Sequence, residues 1–252
     1  MKKHRLKKSV GIFAMLAAAV VLLIYSTVGG ARAALTYYSQ TYTSQFEMFD
    51  IGITLVENDK PVHRRNWDPK TRQFVTDFNQ ELLSHITKFD FGTRYTEELK
   101  VQNSGTIPEY VRLTIRQYWE NADGKRTDLN PAFIKIGYIN SDKWILDKQY
   151  SDGQAERTVL YYSQPLISGD TTVAATSWIT VDKAVQADVK EEKKETVGNK
   201  TVITTTYTYN GLQFVLEAEA EGVQTHNAVD AIRSAWGREV TVAADGTLSL
   251  VN

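Results

Sequence analysis

Between residues 97 and 119 (EELKVQNSGTIPEYVRLTIRQYW) two stretches of one-for-one alternation flank a short polar break. On the first arm Tyr95, Glu97, Leu99 and Val101 alternate with Thr96, Glu98, Lys100 and Gln102. On the second, Val111, Leu113 and Ile115 alternate with Arg112, Thr114 and Arg116. A strand turns successive side chains to opposite faces, so each arm offers one mainly apolar face to a core and one polar face to water. The stretch predicts two antiparallel strands joined at Asn103-Ser104-Gly105-Thr106, a half-buried sheet around which the rest is organised.

The same reading places strands elsewhere. Ile51, Ile53 and Leu55 form one, with Gly52 marking a bulge or a close backbone approach, and Asn58-Asp59-Lys60-Pro61 is a turn. From residue 62 to 89 periodicity fades, which predicts a long loop with a short helix at 80–85. Beyond Asp123-Gly124, a hairpin signal, come short β-like segments at 129–139, 144–146, 158–162 and 173–181. The mixed-charge run at 190–195 reads as a solvated edge, and Val197-Gly198-Asn199 as a hairpin tip. Residues 201–209 (TVITTTYTY) are the strongest β-former, and Asn210-Gly211 predicts a hairpin returning through 212–220, with Leu212, Phe214, Leu216, Ala218 and Ala220 on one face and Glu217, Glu219 and Glu221 on the other.

At 227–236 the period changes to that of a helix. Asn227 is the predicted N-cap and Gly237 the left-handed C-cap, with Val229, Ile232 and Trp236 on the apolar side. So short a helix is marginal alone and is expected to pack over an open end of the sheets. Val240, Val242, Leu248 and Leu250 around Asp245-Gly246 make a closing hairpin. Many short strands with regular turn signals predict a mostly β, antiparallel sandwich or barrel with one or two short helices.

The amino terminus gives the destination. Met1 is followed by a cationic stretch to Lys8, an uncharged apolar run at 10–28 (VGIFAMLAAAVVLLIYSTV), and Gly29-Gly30-Ala31-Arg32-Ala33. This is a secretory signal layout with Ala31 and Ala33 as the signal-peptidase recognition pair, and cleavage leaves one domain, 34–252. The run also reaches bilayer-spanning length, so an uncleaved anchor is the alternative. Either way the body is exported to the cell surface or beyond, and the membrane is touched only through this segment. The first 33 residues hold six of the 29 basic side chains and no acidic ones, leaving an acidic body of 23 basic against 30 acidic residues. That balance argues against a nucleic-acid partner. Cysteine is absent, which excludes disulfides, thiolate zinc sites and thiol chemistry.

Chemical motifs are few. His63, His85 and His226 show no helix-borne zinc spacing, and no nucleophile elbow, phosphate loop or EF-hand is present. No catalytic residue, metal or cofactor is therefore expected, and the protein is read as a non-enzyme. Asp50 and Glu97 are the two carboxylates placed for partial burial, more readily explained by strand ends than by acid–base work. The 13 Tyr and five Trp suit either a sugar-stacking face or a core. Functional content lies in two uncharged, β-prone runs, 34–46 (ALTYYSQTYTSQF) and 201–209, since such runs template pairing with other chains. Cleavage after Ala33 frees the first as a candidate donor strand presenting Leu35, Tyr37, Tyr38, Tyr42 and Phe46.

The lysine-rich signal with its Ala-x-Ala end, the segment LKVQNSGTIPEYVRLTI at 99–115 and the ending VQTHNAVDAIRSAWG at 223–237 together resemble the TasA and camelysin group of exported proteins, whose signal peptides are cut by a dedicated, SipW-type peptidase. The resemblance implies a jelly-roll sandwich at the cell surface or in the biofilm matrix and, for TasA-like members, fibres joined by donor strands. It implies signal peptidase as a partner during export, then self-association or related matrix proteins. Camelysin-like members are classed as metallopeptidases. A surface metallopeptidase and a glycan- or protein-binding module are thus the alternatives to a structural component.

Overall fold

The computed structural model describes residues 50–139, 142–151, 156–197 and 200–251, all within one compact unit, Met48–Asn252. The chain is mostly β, built from antiparallel sheets with one α-helix among the described residues. The signal segment with Ala31 and Ala33, and the donor-strand candidates Leu35, Tyr37, Tyr38, Tyr42 and Phe46, lie outside the described residues. Within those residues no helix is long and apolar enough to cross a membrane.

The first sheet runs β3–β2–β1–β5, made of β1 (Gly52–Glu57), β2 (Lys60–Asp68), β3 (Gln73–Asn79) and β5 (Leu99–Asn103). The second runs β14–β6–β10–β9, made of β6 (Glu109–Asn121), β9 (Trp144–Leu146), β10 (Arg157–Tyr162) and β14 (Gln213–Gln224), with β7 (Gly124–Arg126) paired to the end of β6. A third sheet sets β11 (Thr176–Val181) between β4 (Tyr95–Thr96) and β8 (Ile134–Tyr138). One core joins all three: Ile53, Leu55, Leu99 and Val101 from the first, Leu113, Ile115, Leu160 and Leu216 from the second, Ile134 and Ile179 from the third.

The two arms of the 97–119 stretch alternate as expected, yet they are not paired. β5 pairs with β1, whereas β6 pairs with β14 and β10, so residues 104–108 carry the chain from one sheet to another. Leu99 and Val101 then meet Val111 and Leu113 within one core cluster, and the alternation satisfies this arch as well as a hairpin. Asn103 holds the corner. Its amide nitrogen donates to the carbonyls of Ile107 (2.7 Å) and Leu166 (2.8 Å), and its amide oxygen accepts from the Gly105 N–H (2.9 Å). Gly52 makes the close approach expected of it: a Cβ there would stand 2.8 Å from the Gly105 nitrogen.

Residues 62–89 are not a long loop. β2 and β3 form a hairpin in which most side chains are exposed or half-buried, so no face is apolar enough to imprint a period. Residues 82–85 form a turn, with Leu83 at φ 62°, and not a helix. Asn210-Gly211 does turn the chain, with Gly211 at φ 73°, but the flanking strands part company. β13 (Lys200–Tyr207) pairs with β12 (Val189–Val197), and β14 pairs along its whole length with β6. The charge run at 190–195 therefore lies in one strand of a two-stranded ribbon.

The helix α1 (Ala228–Trp236) covers the outer face of the second sheet and not an open end. Ala228, Ile232 and Trp236 bury against Tyr110, Val159, Tyr161 and Val223, and Trp236 meets Tyr161 edge-on at 5.4 Å. Val229 is exposed, because the buried stripe passes through Ala228. Asn227 precedes the helix in a left-handed conformation, φ 50°, and its side chain caps nothing, while Gly237 (φ 67°) closes it as expected. The small hairpin of β15 (Val240–Val242) and β16 (Leu248–Leu250) completes this second cluster.

Candidate functional site

Two places in the fold combine accessibility with incomplete internal pairing. The first is the free side of β14. Among the described residues β14 has β6 as its only strand partner, leaving its other edge open. Its inward side chains Phe214, Leu216, Ala218 and Ala220 pack on the core, while its outward glutamates meet β6: Glu221 pairs with Arg112, Glu219 with Arg116, and Glu217 accepts from the Tyr118 hydroxyl. Small alanines leave space on the inner side. A groove of about 390 Å³ opens there, between β14 and the first sheet, lined half by apolar side chains such as Ile53, Leu55, Val62 and Leu82 and half by polar ones, Arg65 and Glu219 among them. A larger groove, about 610 Å³, lies beside Leu146 and Leu250; the one cationic head near it that is buried, Arg238, is already engaged by Asp147 at 2.9 Å.

The second place is a cluster of three chemistry-bearing side chains. β1 ends at Glu57, and Asn58 and Asp59, both left-handed at φ 47° and 63°, turn the chain tightly into β2. Asn58 ties this turn to the next strand: its N–H donates to the Glu98 carbonyl (2.9 Å) and its side-chain oxygen accepts from the Glu98 N–H (3.0 Å). Glu57 lies opposite Leu99 in the ladder, so it shares a face with Glu97 two residues earlier. The turn at Leu83 sends the Leu83 N–H to Glu57 Oε1 (2.6 Å) and brings His85 over the pair, Nδ1 3.8 Å from the same oxygen. Donor atoms of Glu57, His85 and Glu97 all lie within 4.8 Å of one another.

Glu97 has no exposed surface, and among the described residues no N–H or hydroxyl donor reaches its carboxyl oxygens; the Glu57 carboxyl is the polar group beside them. Its burial, then the Glu57 charge alongside and a hydrogen bond shared with the Glu57 carboxyl, push its carboxyl up to about 9, so it carries a proton at neutral pH. Among the described residues no Lys or Arg is paired with either carboxylate; Lys100, three residues from Glu97, is bound to Asp59 (2.6 Å) and Glu98 (3.2 Å). His85 Nε2 lies 3.1 Å from the Thr96 carbonyl, which fixes the proton on Nε2 and turns the Nδ1 lone pair toward the carboxylates. The cluster can hold a proton between carboxyl groups or present two oxygens and a nitrogen to a cation.

Glu97 was thus foreseen as a buried carboxylate, but Glu57 carried no local signal. Asp50 stands apart, before β1, with its N–H on the Thr106 hydroxyl and one carboxylate oxygen buried without a partner. The histidines do not converge: His63 bonds Asn79 (3.2 Å) on the first sheet and His226 precedes α1. Of the five tryptophans, Trp119, Trp144 and Trp236 are buried, and the Arg94 guanidinium covers Trp178, so the rings serve the core more than a sugar-stacking face. Comparison with protein-family models, with curated proteins and with solved structures finds no match to this chain.

Proposed function

We propose that this chain is an exported structural component of a bacterial cell surface or biofilm matrix, assembling into fibres when residues 34–46 of one copy add as a strand beside β14 of the next. The observation that carries this reading is the open edge of β14 flanking a groove with an apolar side, Ile53, Leu55, Val62 and Leu82, and a polar rim that includes Arg65 and Glu219. An added strand satisfies the backbone groups of that edge and covers apolar surface in one step. The segment 34–46 suits the place: it has no charge, no Pro and no Gly, and as a strand it sets Tyr38, Tyr42 and Phe46 on one face, rings with polar groups between them for a groove that is part apolar and part polar. Donation from copy to copy is head-to-tail and does not close, so it builds filaments.

Protein beginning at Ala34 is expected to form filaments under the electron microscope and to sediment as a broad series of oligomers. Removing residues 34–46 is expected to leave a folded monomer, and a synthetic 34–46 peptide to bind that monomer one to one. A protein from Ala34 that stays monomeric at high concentration, or filaments that persist after the deletion, would overturn the reading.

A further inference from the structure

We infer that Glu57, His85 and Glu97 form a binding site for a divalent first-row cation of the zinc type, one that clips the loop after β3 onto the ends of β1 and β5. The inference starts from Glu97, a side chain with no exposed surface whose oxygens, among the described residues, are reached by no N–H or hydroxyl and face only the Glu57 carboxyl. Buried carboxyl oxygens are normally bonded, and a proton on one oxygen still leaves the other without a donor. Glu57, 5% exposed and on the same face, adds a second carboxylate with no cationic partner of its own beyond the distant His85. A proton shared by the two carboxyls satisfies one oxygen of each, whereas a doubly charged cation compensates both carboxylates and draws in the His85 nitrogen as well.

The donor set selects the cation class. Two carboxylates and one imidazole give three ligands of the kind zinc accepts, whereas calcium requires six to eight oxygens. The donor atoms, within 4.8 Å of one another, must close by up to about 1.5 Å to reach tetrahedral spacing around bonds of about 2 Å. His85 can supply that movement, since it sits on a turn and is 37% exposed. Its exposure also leaves water a way to a fourth position. The outer partners are in place: the Thr96 carbonyl holds the Nε2 proton and so presents Nδ1, and the Leu83 N–H orients Glu57. The consequence is mechanical, because residues 80–86 would then be held to the sheet by a metal bond in addition to the Leu83–Glu57 hydrogen bond.

The test is calorimetric titration of the exported, metal-stripped protein with zinc chloride, paired with the cobalt(II) absorption spectrum and thermal melting. The expected result is one zinc per chain, a tetrahedral cobalt band, and a melting temperature that rises with zinc concentration. His85→Ala and Glu97→Gln each lower the affinity about tenfold or more, and His63→Ala leaves it unchanged. His85 is surface-exposed and Glu97→Gln keeps the shape, so both variants remain folded, as circular dichroism checks. Absence of saturable binding, or wild-type affinity in either the His85 or the Glu97 variant, overturns the site.

Discussion

Glu109, the first residue of β6, has no exposed surface and reaches across to the first sheet, where Oε1 accepts from the Gly52 N–H at 3.1 Å. Glycines make its room: a Cβ at Gly105 would stand 2.8 Å from Oε1, and one at Gly222 would collide with Oε2, which has no partner. Burial pushes this carboxyl up to about 7, only partly countered by the Gly52 N–H. The folded chain therefore binds a proton here more tightly than the unfolded chain. The stability it contributes is complete below the ordinary carboxylate range, near 4.5, and is lost as pH rises to about 7. The change amounts to about 3 kcal/mol. Urea unfolding of wild type and Glu109→Gln at pH 5 and pH 8 checks it: the wild type is expected to lose more stability across that interval, by about that amount. Equal losses would mean that Glu109 is ionised in the fold at both values. At this scale the sequence is readable only where a residue's own strand announces it. Alternation with Leu99 and Val101 put Glu97 on a core face, but Glu57 and His85 reach it through ladder pairing and a turn, which no spacing encodes.

Strand existence follows from alternation; strand partnership does not. The arms at 97–103 and 109–121 each satisfy the same two-residue period whether they pair with each other or face each other across a core, so the arch at Asn103 was invisible until β1 and β14 were placed. β2 and β3 were missed for the opposite reason, since a ribbon wet on both sides has no apolar period to read. The helix was legible because its caps and stripe are local, though its seat on the outer face of the second sheet was not. That seat is fixed by a long-range contact: Arg238, just past Gly237, donates to Asp147 at 2.9 Å with both side chains buried, and to the Val251 carbonyl at 2.6 Å. Leaving one charge of such a pair unmatched costs about 3–5 kcal/mol. Arg238→Met is expected to lower the unfolding free energy by that order in urea titrations, and adding Asp147→Leu to recover a good part of it. A double variant as unstable as the single one would show that Asp147 matters for its bond to the Gln149 N–H more than for the charge pair.

At the scale of the whole molecule, the core closes where β5 is stitched to residues 172–176 and stays open beside β14. Along β5, Thr172 and Thr176 hydroxyls accept from the Val101 and Leu99 N–H groups, so side chains complete an edge that no regular strand covers. Among the described residues β14 has no such provision, and its groove is floored by small alanines. If that gap is where a neighbour's strand is received, it can be filled without harming the fold that carries it. Ala218 is half-buried on the groove side, and a lysine there can lay its methylenes on the apolar floor with the ammonium in water. Ala218→Lys is therefore expected to leave the monomer's stability within about 1 kcal/mol of wild type, while the protein beginning at Ala34 loses self-association in sedimentation runs at high concentration. Adding the 34–46 peptide separates the causes. Peptide that still binds Ala218→Lys as it binds the deletion monomer would place the contact elsewhere on the surface, with the ribbon of β12 and β13 the next edge to examine.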